Sequence, residues 1–171
     1  GPDIIFFWVA RMIIAGMEFI GKIPFRRVYF TGIVRDDLGR KMSKSLGNSP
    51  DPLDVIGEYG ADALRYTMTR LAPLGNDILY SNEKCELGRN FANKIWNASK
   101  FILSHLTGKA LPSLEEITLD LFDKWILSRY QQTISQVREA IEAFHFNEAT
   151  VLLYDFIWDD FCSWYIEVSK V

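Results

Sequence analysis

Cysteine and histidine are scarce in this chain, two of each in 171 residues. Cys85 and Cys162 stand alone, with no Cys-x-x-Cys pair. That excludes zinc-ribbon spacing and a disulfide framework, and it points to a reducing compartment, the cytoplasm. His105 and His145 have no second ligand close by and are expected in ordinary surface or half-buried positions, so no metal site is predicted. An excess of positive charge is missing too. With a formal net charge of −3, contact with nucleic acid has to come from local patches, and DNA is not an expected partner. No run is long and apolar enough for a membrane. The best candidate, Ile4 to Ile20, is broken by Arg11 and Glu18. As a helix it spans about 25 Å, short of the roughly 30 Å hydrocarbon core, so it is read as a buried helix. The acidic Asp3 before it is the wrong start for a signal peptide.

What is present is apolar and aromatic side chains, 49 % and 14 % of residues, enough to bury a core. The start is abrupt: Gly1-Pro2-Asp3 leads straight into the apolar helix with no strand before it. Arg27 to Val34 is rich in β-branched and aromatic residues and predicts a strand buried on both faces. Gly32 in its middle predicts close approach by a ligand or another backbone. Arg35 to Pro50, with two glycines and little apolar content, predicts a loop.

Helices follow. Asp51-Pro52 is an N-cap and first-turn proline for Leu53 to Tyr59, which stops at Gly60. Ala61 to Leu71 predicts a second short helix, and Ser81 or Asn82 caps a long one reaching about Leu106. Thr107-Gly108, Pro112 and Ser113 make a connector. Phe122, Ile126, Tyr130, Ile134, Val137, Ile141 and Phe144 then step by three or four, and a second such pattern runs from Ala149 to Val168 with Asn147 as its cap. These two predict an antiparallel pair that needs further helices to cover it. The helical pattern runs to Val171 with no stop signal, which together with the abrupt start predicts a piece of a larger polypeptide.

The chemistry sits in the loop. Lys41 and Lys44 are spaced by three, with Ser43 between them and Ser45 after, and Gly39 and Gly47 flank the group. Lysine is a flexible point charge suited to a moving phosphate cluster. Serine hydroxyls and loop N–H groups add donors. By composition alone a solvated basic loop is equally admissible.

Lys41-Met42-Ser43-Lys44-Ser45 spells the KMSKS signature of class I aminoacyl-tRNA synthetases. It follows Gly32-Ile33-Val34 and precedes Gly47-Asn48 and Asp51-Pro52, and Tyr59-Gly60-Ala61-Asp62-Ala63-Leu64-Arg65-Tyr66 resembles the helix after the loop in the branched-aliphatic subgroup. Asp3-Ile4-Ile5-Phe6-Phe7-Trp8 resembles the adenylate-site segment of the valine-specific members, as do Gly88 to Ala98 and Tyr154 to Glu167, so the resemblance covers essentially the whole chain. Two departures are Pro2, where many relatives have an aromatic, and Thr31, where many have histidine.

The resemblance implies a mainly α fold with a small α/β part: residues 1–50 as the last part of a Rossmann-type catalytic domain, 51–113 as a helical connecting region, and 114–171 as the start of an anticodon-binding bundle. It implies valine, ATP with Mg2+, and tRNA(Val) as substrates. Lys41 and Lys44 are then the catalytic residues. Asp3, Gly32, Lys41, Ser43, Lys44 and Ser45 bind ATP or adenylate, and Trp8 lies in the amino-acid pocket. Arg89, Lys94, Lys100 and Arg129 are candidates for tRNA phosphates, although charges on helix faces are most often only solvated. The family's His-x-Gly-His motif is absent from the sequence, so the chain alone is expected to be inactive. The alternatives are an isoleucine or leucine synthetase, or a non-catalytic tRNA-binding module derived from a synthetase.

Overall fold

The computed structural model describes residues 1–106, 108 and 112–170. Thr107 of the expected connector and Val171, where the helical pattern was expected to run out, lie outside the described residues. The molecule is mainly helical, with a single two-stranded parallel sheet among the described residues.

The first helix, α1 (Ala10–Ala15), is extended at both ends by wider π turns, Ile5–Val9 and Gly16–Ile20, and stops at Gly21 in a left-handed conformation. It was expected to be buried. Instead Phe6, Trp8, Ile14, Phe19 and Ile20 are exposed, Phe19 by 85 %. The physical reason is that no second layer within the described residues covers the helix. Its close neighbours are Pro24, which approaches Gly16, and at the start of the chain Ile33, which lies against Gly1.

β1 (Val34–Arg35) pairs in parallel with β2 (Ile78–Leu79). The strand expected over Arg27 to Val34 is thus confined to its end, and its residues are only partly buried. β propensity becomes a strand only where a partner lies alongside, and the partner here reaches only Ile33 to Arg35: Ile78 N–H donates to the Ile33 carbonyl at 2.9 Å and Tyr80 N–H to the Arg35 carbonyl at 2.9 Å. Gly32 does meet a backbone. A Cβ at this position would lie 2.0 Å from the Asn76 carbonyl oxygen.

Between the strands run α2 (Pro52–Tyr59) and α3 (Ala61–Arg70), with Asp51 accepting from Leu53 N–H at 2.8 Å as the expected cap. α4 (Cys85–His105) follows β2 through a 3-10 turn, Asn82–Lys84. Val55, Ile78, Tyr80 and Cys85 form a buried core, and Val34, Met42, Tyr59, Leu64 and Met68 pack against it. Gly88 lets α4 approach α3, since a Cβ there would stand 2.6 Å from the Ala63 carbonyl.

α5 (Leu121–Glu142) opens with a reciprocal capping box. Asp123 N–H donates to Asp120 at 2.8 Å, and Asp120 N–H donates to Asp123 at 3.0 Å. α6 (Phe146–Asp155) runs back against it and continues as a π-helical stretch, Phe156–Tyr165, and α7 (Ile166–Val168). Asn147 is not the cap. The helix begins two residues earlier, after His145, because Phe144 turns the corner with a positive φ of 63°. Its ring stacks on Tyr29 at 5.8 Å and meets Phe146 edge-on at 6.2 Å, while Arg27 sits over it. Tyr66 on α3 donates to the Thr150 carbonyl at 3.2 Å, so the helical pair is fastened to the sheet region at two places. The pair's apolar face is incompletely covered, as expected: a cavity of about 590 Å³ opens between α4 and the pair, lined by Ile95, Ile102, Ile126, Tyr130 and Phe161 among others.

Gly32→Ala is expected to lower stability by about 1–3 kcal/mol, the range for forcing atoms into a packed site. Urea unfolding of the chain checks this. An unchanged midpoint would contradict the close approach of Asn76.

Candidate nucleotide-loop site

The loop is a hairpin followed by a single 3-10 turn. Arg35 and Lys41 face each other as an antiparallel bridge, and Asp36 N–H donates to the Arg40 carbonyl at 3.0 Å. Gly39, with φ 75°, makes the tight return. Met42 then packs, partly buried, against the core of Val55, Ile78, Tyr80 and Cys85. Ser43, in an extended conformation, caps the turn Lys44–Leu46 by accepting from Leu46 N–H at 3.3 Å. Gly47, with φ 65°, ends it.

One carboxylate holds this shape. Asp36 Oδ1 accepts from the N–H groups of Leu38 at 3.1 Å and Arg40 at 2.8 Å. Its Oδ2 accepts from the Arg40 guanidinium at 2.8 Å and from Asn48 Nδ2 at 2.9 Å. Asn48 Oδ1 in turn accepts from Ser43 N–H at 2.9 Å. The Asn48 amide and the other donors beside Asp36 hold its carboxyl down at about 2, well below the ordinary carboxylate value. On the neighbouring strand, the Arg35 guanidinium pairs with Asp77, which also accepts from Ile33 N–H at 3.0 Å; this holds the Asp77 carboxyl below its usual range.

The residues singled out in the sequence are distributed as follows. Lys41 and Lys44 are exposed, on either side of Met42 and Ser43, and neither makes an ion pair among the described residues. Ser43 and Ser45 face each other with their hydroxyls 3.1 Å apart. Gly32 lies three residues before the hairpin, next to Ile33, against which Gly1 is placed. Asp3 follows Gly1 by two residues and Trp8 lies in the π turn beyond it; both are exposed, and no hydrogen bond links them to the loop among the described residues. Three of the four candidates for tRNA phosphates are engaged within the chain. Arg129 pairs with Asp160 at 2.8 Å, Arg89 lies over Tyr59, and Lys94 lies over Trp158.

Met42, Asp36 and Asn48 escaped the sequence reading as structural parts. A signal existed for Met42, the one strongly apolar residue between the two lysines. For Asp36 and Asn48 there was none, because a pair twelve residues apart in a loop has no periodicity to betray it.

Residues 1–81 match the family of class I tRNA synthetases (I, L, M and V), and residues 123–171 match the anticodon-binding domain of tRNA ligases. The chain belongs to the class I aminoacyl-tRNA synthetase family. Within it, the similarity is to valine–tRNA ligases along the full length of the chain. It is 52 % identical to that of Fusobacterium nucleatum over 100 % of this chain and 20 % of that protein, and 53 % identical to that of Geobacillus kaustophilus with the same coverage. The chain therefore spans about a fifth of the length of these relatives. Among solved structures, the LeuRS of Agrobacterium radiobacter K84, in a ternary complex with tRNA and LeuAMS, superposes with a TM-score of 0.73 at 27 % identity, over 86 % of this chain and 20 % of that one. No helix among the described residues is long and apolar enough to cross a membrane.

Asp36 is depressed in the folded chain, so the stability it contributes is fully present above its unfolded value near 4 and is lost as the pH falls toward about 2. NMR titration of the side-chain carboxyl carbons is expected to show Asp36 among the last to protonate. A midpoint at 3.8 or higher would contradict the clamp.

Proposed function

We propose that this chain is the part of a cytoplasmic valine–tRNA ligase that holds the ATP phosphates and begins the tRNA-facing helices. The intact enzyme joins valine to ATP, supplied as its Mg2+ complex: a valine carboxylate oxygen attacks the α-phosphorus, and the bond to pyrophosphate breaks. The 3′-terminal ribose of tRNA(Val) then takes the valyl group from the adenylate. The identity of about 50 % to valine–tRNA ligases, against 27 % to the leucine-enzyme neighbour, supports valine over leucine.

The observation that carries the reading is the pair of exposed ammonium groups, Lys41 at the end of the hairpin and Lys44 in the 3-10 turn, committed to no ion pair among the described residues. Negative charge moves onto the leaving pyrophosphate, and cations already in place stabilise that transition state without reorganising. The Ser43 and Ser45 hydroxyls add donors to the phosphates. Asp3 accepts from the ribose hydroxyls, and the Trp8 indole forms an apolar wall for the valine side chain. Gly32 takes part through its backbone, since its α-carbon already lies against Asn76. On this reading residues 1–50 close the catalytic domain, 51–113 connect it, and 114–171 open the anticodon-binding bundle. Of the helix-face cations in the latter two segments, Lys100 is placed to meet tRNA phosphates directly, and Arg89, Lys94 and Arg129 do so only where their internal partners release them.

In the intact ligase, Lys44→Ala is expected to slow adenylate formation by roughly a hundredfold, the scale for losing one preorganised donor to a transition state, with valine binding little changed. Rapid-quench measurement of the first turnover checks it, and a rate within threefold of wild type would sink the role. The 171-residue chain alone, which carries no His-x-Gly-His motif, is expected to give no valine-dependent pyrophosphate exchange; turnover clearly above background would overturn that.

A further inference from the structure

The loop contains two kinds of polar residue. Lys41, Lys44 and Ser45 face solvent, whereas Asp36 and Asn48 face each other: the Asp36 side chain is only 13 % exposed, and Asn48 is half-buried. Asp36 has each of its oxygens in two hydrogen bonds, to Leu38 and Arg40 N–H on one side and to Arg40 Nε and Asn48 Nδ2 on the other. Asn48 is used from both ends of its amide. Its Nδ2 gives to Asp36, with a longer approach to the Lys41 carbonyl at 3.5 Å, and its Oδ1 receives Ser43 N–H. The two ends of the loop are thus joined through side chains, and the join reaches the backbone on both sides of Met42. Met42 supplies the third fixed point, in the core.

We infer that Asp36 and Asn48 are positioning residues for the phosphate site: acting through the Lys41 carbonyl and Ser43 N–H, they fix the direction in which Lys41 and Lys44 present their charges. This rests on the proposed phosphate role of those lysines. An ammonium on a four-carbon stem has wide reach. Its contribution to a transition state depends on the backbone from which it springs being held before the charge develops. The Asp36–Asn48 pair does that without touching substrate. It also keeps the carboxylate turned inward, where Arg40 neutralises it, so a negative charge beside a phosphate site does not repel the ligand.

The pairing is directional. A carboxylate must meet an amide N–H2, and an amide oxygen must meet a backbone N–H. Asp36→Asn removes the charge that the Arg40 guanidinium and the Asn48 amide both favour. Asn48→Asp sets two carboxylates against each other, and one of them must take up a proton. Exchanging both residues restores one acid facing one amide.

The test is adenylate formation by the intact ligase, followed with saturating valine at varied ATP. Each single variant is expected to slow the first turnover at least tenfold, with the valine KM within twofold of wild type. The Asn48→Asp variant should recover as the pH falls from 8 to 6, a trend the wild type lacks. The Asp36→Asn, Asn48→Asp double variant should be faster than Asn48→Asp alone yet stay below the wild-type rate, because the Arg40 guanidinium then faces an amide in place of a carboxylate. Valine KM in the same preparations reports whether the fold is intact, and Asn48→Ala replaces Asn48→Asp if the latter does not accumulate. Singles at wild-type rate, a double variant no faster than Asn48→Asp alone, or an Asn48→Asp defect that does not vary with pH would overturn the inference. Lys44→Ala run in parallel separates the two ideas. If it is slow while the Asp36 and Asn48 variants are normal, only the positioning role falls. If it is itself normal, the phosphate role falls first.

Discussion

The short parallel pairing between the segment at Val34–Arg35 and the segment at Ile78–Leu79 is the contact on which the rest of the structure depends. It comprises few hydrogen bonds, yet it fixes three things at once. Through Ile33, Gly32 and Asn76 it brings two backbones closer than any residue with a side chain would allow. Through Arg35 and Asp77 it neutralises a charge pair at the root of the loop. Through Ile78 and Tyr80 it completes the core into which Met42 inserts. Without β2, the hairpin that carries Lys41 has neither a floor nor a fixed starting direction.

The helical part attaches to this small sheet through aromatic contacts. Tyr29, just upstream of Gly32, stacks on Phe144 and meets Phe146 edge-on at the corner of the last two helices. A second line runs from Tyr66 through Phe91 and Tyr154 to Trp158, with Arg70 over Tyr154. Rings stacked or tilted at about 5–6 Å give large contact area with few freely rotating bonds. The stretches that match two separate family descriptions, residues 1–81 and 123–171, therefore touch through Tyr29 and Tyr66.

Much of the helical fold was legible because its signals are local. Asp51-Pro52 and Gly60 bracket α2 by their own chemistry, and the three-and-four spacing of Ile126, Tyr130 and Ile134 marks α5. The failures are non-local. The strand at Arg27 to Val34 was overextended because β propensity says nothing about how far the partner runs, and β2 was missed because its two residues are too few for an alternating pattern. The cap at Asn147 failed because Phe144, a bulky residue, adopts a left-handed turn usually left to glycine or asparagine. The expected burial of α1 failed because hydrophobicity records what a face prefers to contact and not whether the contact lies in the same segment. At the candidate site, the lysines and serines could be read from the motif. The direction in which they point could not, since it is set by Asp36, Asn48 and Met42.

The join between Asp36 and Asn48 closes a ring of backbone whose circumference is set by the twelve-residue step from one to the other. A ring of fixed size tolerates exchange of residues along its outer rim but neither insertion nor deletion, because one residue more or fewer would turn the Ser43 N–H away from the amide oxygen. The helices beyond Pro50 lie outside this ring, and their lengths are free of it. The run of letters that makes the loop recognisable in a sequence is thus also a ruler, its spacing kept by the geometry of closure.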